Sequence, residues 1–215
     1  MGVPVLIIGK SGSGKSASMR NLNPADVALI NVLGKPLPFK GKFEQVTTDD
    51  YGKVHGAIEK CPRDIIVIDD AGYLMTNQFM RGHSSAGKGN DIFLFYNYLA
   101  DNFWRLIEAI GKLPAHKRVY VMMHEDTNDA GDTKPKTIGK LLDEKVNIPG
   151  MFTICLRCVL SDGKRVFRTQ TDGSDVAKSP ISLFSDLEID NDLLQVDNAI
   201  KAYYEINDTK EEQPK

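Results

Sequence analysis

A chain of 215 residues, 41% hydrophobic and 26% charged, has the size and composition of one globular domain with a sizeable core, which excludes a disordered or fibrous chain. A net charge of −2 argues against a general nucleic-acid coat protein, so contact with DNA or RNA has to come from local basic loops. No apolar run approaches the roughly 18 residues of a membrane span, no secretion signal is legible, and three cysteines fit reduced thiols in a cytoplasm.

In chain order, residues 3–8 (VPVLII) form a continuous apolar run, the pattern of a strand buried on both faces. A glycine-rich loop follows, and Lys15 to Asn21 reads as the start of a helix that stops before Pro24. DVALIN (26–31) is a second buried strand, and GKPLPFKGKF (34–43) is a loop or short hairpin. Residues 51–60 read as a short helix and DIIVIDD (64–70) as the clearest strand. From 91 to 110, Ile92, Phe95, Tyr96, Leu99, Phe103, Leu106, Ile107 and Ile110 share one stripe of a long amphipathic helix. RVYVMMH (118–124) is a strand, 125–137 a polar loop without periodicity, and 138–146 a helix. Two strands at 151–160 and 164–170 are joined by the turn SDG, and a last helix spans about 191–204. The expected organisation is one domain over 1–204 with a frayed tail at 205–215. Alternating strands and helices through residue 124 point to an α/β fold with a mostly parallel central sheet.

The loop GKSGSGKS, Gly9 to Ser16, fits the phosphate-loop pattern G-x-x-x-x-G-K-[ST]. Gly9, Gly12 and Gly14 let backbone N–H groups curl around phosphates, and Ser11, Ser13 and Ala17 complete the candidate cradle. Lys15 is suited to the β and γ oxygens of ATP, and the Ser16 hydroxyl to a Mg2+ ion. Asp69 ends a buried strand, where a carboxylate can hold Mg2+ through its water shell. Its neighbour Asp70 either activates the attacking water or caps the next helix. His124, at the end of another strand, is a candidate γ-phosphate contact, and Glu125 a lesser candidate for activating water.

The order of GKSGSGKS, INVLGKPLPFKG, VIDDAGYLMTNQFM, KTIGKLLDEK, AKSP and NDLLQVDNAIKAYY resembles the phage-encoded family of small P-loop ATPases grouped with the RecA core and often called AAA-type ATPases. Members of that family act as single-strand annealing proteins in phage recombination. The resemblance runs from Val3 to about Tyr204. It implies a RecA-like P-loop core with helices on both faces of the sheet, and ATP and Mg2+ held by Gly14, Lys15, Ser16 and Asp69. It further implies single-stranded DNA as a partner, assembly into a ring or filament, contact with a phage or host single-strand binding protein, and the cytoplasm of an infected bacterium. His124 sits where RecA-like proteins couple nucleotide state to DNA. One departure stands out: the strand VALIN ends in Asn31, where such proteins usually carry a catalytic glutamate, which makes slow hydrolysis an expectation and raises the weight on Asp70.

Two segments are candidate DNA contacts. Residues 81–91 offer Arg81, His83 and Lys88, and residues 126–140 offer Lys134, Lys136 and Lys140 against Asp126, Asp129 and Asp132. Neither loop holds an aromatic ring for base stacking, so backbone-led contact is expected. Cys155 and Cys158, three apart in a strand, face opposite ways and read as ordinary buried cysteines. Arg157, Arg165, Arg168 and Lys178 are candidates to reach a neighbouring subunit's phosphate, and Lys35 to meet nucleotide or partner. The competing readings are a small-molecule or nucleotide kinase, and an assembly ATPase such as a helicase loader or packaging motor.

Overall fold

The computed structural model describes residues 1–207. Its strands are β1 (Val3–Gly9), β2 (Val27–Asn31), β3 (Gln45–Val46), β4 (Ile65–Asp69), β5 (Arg118–Thr127), β6 (Thr133–Pro135), β7 (Ile154–Ser161), β8 (Lys164–Arg168) and β9 (Glu188–Asp190). Its α-helices are α1 (Tyr51–Glu59), α2 (Gly72–Gly82), α3 (Asn90–Lys112) and α4 (Leu193–Tyr203). The sheet runs in the order β3-β2-β4-β5-β1-β7-β8-β9, with β6 paired to the far end of β5. From β3 to β7 every pairing is parallel, and β8 and β9 extend the edge antiparallel.

Strand period two sorts the apolar residues into two cores. Leu6 and Ile8 of β1 meet α1, α2 and α3 through Val54, Ile58, Leu74, Met75 and Phe103. Val5 and Ile7 meet the other face, with Met19, Leu22 and the α4 residues Leu193, Val196 and Ile200. Cys155 and Cys158 fall one in each core, as their spacing predicts. This is the expected α/β architecture, with helices on both faces of a mostly parallel sheet. No helix among the described residues is long and apolar enough to cross a membrane.

Three local expectations are corrected. The segment after the glycine loop is a six-residue 3-10 helix, Ser16–Asn21, and not an α-helix. Ser18 turns its hydroxyl back to the Lys15 carbonyl at 2.6 Å, and Pro24 follows too soon for α-helical turns to accumulate. Residues 125–137 are no featureless loop: β5 continues past His124 and pairs with β6, Asp126 opposite Lys134 and Thr127 opposite Thr133. An exposed ribbon held by cross-strand polar pairs and an Asn128–Asp132 turn leaves no apolar period to read. The helix expected over 138–146 shrinks to a single π-type turn, Leu141–Lys145, between Gly139 at φ +91° and the Asn147–Pro149 turn. At the end of the described chain the Ile206 N–H donates to the Lys201 carbonyl at 2.9 Å and its side chain packs on the core. Residues 208–215 lie outside the described residues.

Candidate functional site

The carboxyl ends of β1, β4 and β5 converge on one cleft of about 330 Å3. Its lining includes Ser11, Gly12, Gly14, Lys15, Ser16 and Ala17 from the loop, with Asp69, Asp70 and His124 facing them. Gly12 and Gly14 hold φ at +78° and +113°, a backbone that L side chains adopt only with strain. Gly9 closes the turn tightly, since a side chain there would lie 2.5 Å from Ser13 Oγ and 2.6 Å from the Cys158 carbonyl. Ser13 itself keeps its buried hydroxyl behind the loop without a hydrogen-bond partner and does not line the cleft.

Lys15 is 6% exposed and donates to the carbonyls of Gly9 at 2.7 Å and Lys10 at 3.0 Å. Burial lowers its pKa against the opposing pull of nearby Asp70 and Asp69, so a charged ammonium here is short of counter-charge. Ser16 Oγ donates to Asp69 Oδ1 at 2.9 Å. Burial first, and then neighbouring Asp70, push the Asp69 carboxyl up, against the Ser16 hydrogen bond.

Asp70 does not cap α2. The cap position is Ala71, with no side-chain bond, and Asp70 sits one residue earlier at φ +60°. That left-handed backbone, which Asp tolerates better than most residues, swings its carboxylate into the cleft. There Oδ2 meets Lys35 Nζ at 2.7 Å and Oδ1 faces His124 Nε2 at 3.4 Å. Burial would raise the Asp70 pKa, but hydrogen bonds to His124 and Lys35 outweigh it and hold the group at about 2. Asn31, 2% exposed, fixes this arrangement by donating from Nδ2 to the Lys35 carbonyl at 2.8 Å. The residue standing where a glutamate was expected thus positions a lysine. Sequence reasoning left Lys35 open between nucleotide and partner, and its link to Asp70 becomes visible only when β2 lies beside β4 with Asn31 opposite Asp69.

The candidate water-activating Glu125 is spent elsewhere: it takes Arg157 in a bidentate pair at 2.9 and 3.1 Å. Asp175 takes the same guanidinium at 3.1 Å, so Arg157 is not free to reach a neighbour. Arg168 is bound to Asp172 and Glu188, and Lys178 is pinned by its backbone to Cys155 on β7. Arg165 is the exception among the three arginines. The β7–β8 register carries it back over its own loop, where Nε faces the Gly12 carbonyl at 3.4 Å and the side chain lines the cleft. No local signal in the sequence pointed to that placement.

Of the DNA candidates, Arg81 pairs with Asp49 at 2.6 Å and Lys134 with Asp143 at 2.7 Å. Lys88, Lys136 and Lys140 are exposed and in no ion pair among the described residues. The Lys136 N–H donates to the His124 carbonyl at 2.8 Å, which ties the hairpin's return to the floor of the cleft.

The donor set suits a Mg2+-bound nucleoside triphosphate. Glycines at positive φ make a cradle that side chains would strain, an under-compensated lysine faces into it, and paired hydroxyl and carboxylate oxygens are hard ligands of the kind Mg2+ takes. A family model described as an AAA domain matches residues 1–181, from β1 past β8. No curated protein matches the chain.

Proposed function

The chain belongs to the AAA-domain family of nucleotide-dependent ATPases, and we propose that it is a Mg2+-dependent ATPase whose nucleotide state sets its hold on single-stranded DNA during strand annealing in phage recombination. The observation that carries the ATPase half is the pair Ser16–Asp69 at 2.9 Å beside a buried Lys15. Lys15 exchanges its two backbone carbonyls for the β- and γ-phosphate oxygens, regaining the counter-charge that burial denies it. Ser16 and Asp69 hold Mg2+, which supplies charge neutralisation for the phosphates.

Asp70 is the water-orienting group. Held at about 2 it is too weak a base to accept a proton. Lys35, half-exposed and bound to it at 2.7 Å, is the switch: once it turns toward the γ-phosphate, Asp70 loses a partner and gains basicity. A water oxygen then attacks the γ-phosphorus, its proton passes to Asp70, and the bond to the β–γ bridging oxygen breaks to release ADP and phosphate. Arg165 reaches the phosphates in cis from β8.

The DNA half rests on the resemblance to annealing ATPases and on the hydrogen bond from Lys136 to the His124 carbonyl, through which a change at His124 shifts a basic loop. Copies of the chain assemble side by side on the strand. The test is hydrolysis by the purified protein with and without a short oligothymidine. Stimulation is expected, and it should vanish together with basal turnover in Lys15→Ala. Turnover indifferent to DNA, with no DNA bound in any nucleotide state, would remove the DNA half.

A further inference from the structure

The nucleotide chemistry leaves unused a set of rings where α2 meets the start of α3. Phe79 lies near-parallel to His83 (centroids 5.0 Å, planes 22° apart), to Tyr96 (5.8 Å, 27°) and to Phe95 (6.3 Å, 28°). Beyond this stack the first nine residues of α3, Asn90–Tyr98, contain no buried side chain. The helix enters the core only at Leu99. Phe93 is 68% exposed, with Leu94 and Tyr98 exposed on the same stretch of α3. A ring-bearing opening turn of α3 with no buried side chain marks this end of the helix as an interaction surface.

The neighbourhood of Phe93 tells what covers it. Phe93 is one turn before Tyr96, so the two share a side of α3. Gly139, at φ +91°, is seated on Tyr96: a Cβ there would be 3.0 Å from its Cδ1. The Lys136–Lys140 segment therefore runs beside the rings, and both lysines are exposed without ion pairs among the described residues. Asp91 is the one carboxylate on the adjoining turn of α3. Flat π-faces flanked by free ammonium groups match a chain of bases on a phosphate backbone better than they match an apolar protein face.

We propose that Phe93, on the side of α3 that also carries Tyr96 and the adjoining Lys136–Lys140 segment, is a base-stacking platform for single-stranded DNA. This rests on the DNA reading above and changes its mode: the loops lack rings, but the helices beside them supply them. Stacking accepts any base, which suits a protein that must hold strands of unrestricted sequence.

The test compares oligothymidine with an abasic strand of equal length, by fluorescence anisotropy in the presence of MgATP, for the wild type and Phe93→Ala. An exposed ring can be truncated without disturbing the core. The wild type is expected to bind oligothymidine about ten-fold more tightly than the abasic strand. Phe93→Ala should lose that preference while keeping its affinity for the abasic strand and for ATP. An unchanged preference in Phe93→Ala overturns the platform. So does a smaller particle for Phe93→Ala than for wild type without DNA, which would make the patch a contact between copies. Failure of the wild type to bind either strand overturns the DNA reading itself, and the platform with it.

Discussion

At the scale of single residues, the cleft turns on Asp70. Asp70→Asn keeps the shape of the side chain but cannot take a proton, so turnover should fall by about 100-fold or more while ATP affinity stays near wild type. Comparable losses of both would instead make Asp70 a binding residue. Acid unfolding gives a second reading of the same group. Its pKa moves down from 3.8 to about 2 on folding. It therefore stabilises the protein above its unfolded pKa, and that contribution disappears as pH falls from near 4 through about 2. Urea titrations across that window should show a shallower acid loss for Asp70→Asn than for wild type; parallel losses would contradict the assignment. The loop, Lys15, Ser16 and Asp69 were legible because each is announced by its own neighbours in sequence. Lys35 and Arg165 were named only as open candidates; the Lys35 link to Asp70 and the placement of Arg165 over its own loop come through strand register, which a linear pattern does not encode.

Among the elements, β5 is the spine that joins the two proposed activities. Its first residues are clamped to α4: Arg118 makes a bidentate pair with Asp197 at 2.9 and 3.0 Å, and Tyr120 donates to the same carboxylate at 2.6 Å. Arg118, Tyr120 and Asp197 are all within 2% of full burial. Asp197→Ala would take the carboxylate from a buried guanidinium that keeps the His116 carbonyl, at a cost of about 3 kcal/mol. Chemical denaturation should register a loss of that size; a change within 1 kcal/mol, on the order of a surface substitution, would mean that the clamp adds little to stability. The other end of β5 explains the main misreading of the sequence. The continuous apolar run ends at His124, so a strand that continues as a polar ribbon to Thr127 looks like a loop. The short π-type turn at Leu141–Lys145 was over-read for the opposite reason, since Ile138, Leu141 and Leu142 mimic a helical period that Gly139 and Pro149 interrupt.

Over the whole molecule, the two faces of the sheet divide the labour. One core carries α2 and α3 to the ring-bearing surface, and the other carries α4, which lies beyond the matched residues 1–181. From there α4 and its approach brace the phosphate loop's 3-10 helix, with Arg20 donating to the Asn191 carbonyl and Asn21 to Asp192 at 2.8 Å. The cleft and the Lys136 segment are joined through the His124 backbone, and any change that bound nucleotide makes in DNA affinity is matched by an equal change that DNA makes in nucleotide affinity. The most direct measurement is the affinity of oligothymidine with a non-hydrolysable MgATP analogue and with no nucleotide, in the wild type and in His124→Ala. Binding about ten-fold tighter with nucleotide, and insensitive to it in His124→Ala, is the expected result. Equal wild-type affinity in both states would contradict the coupling.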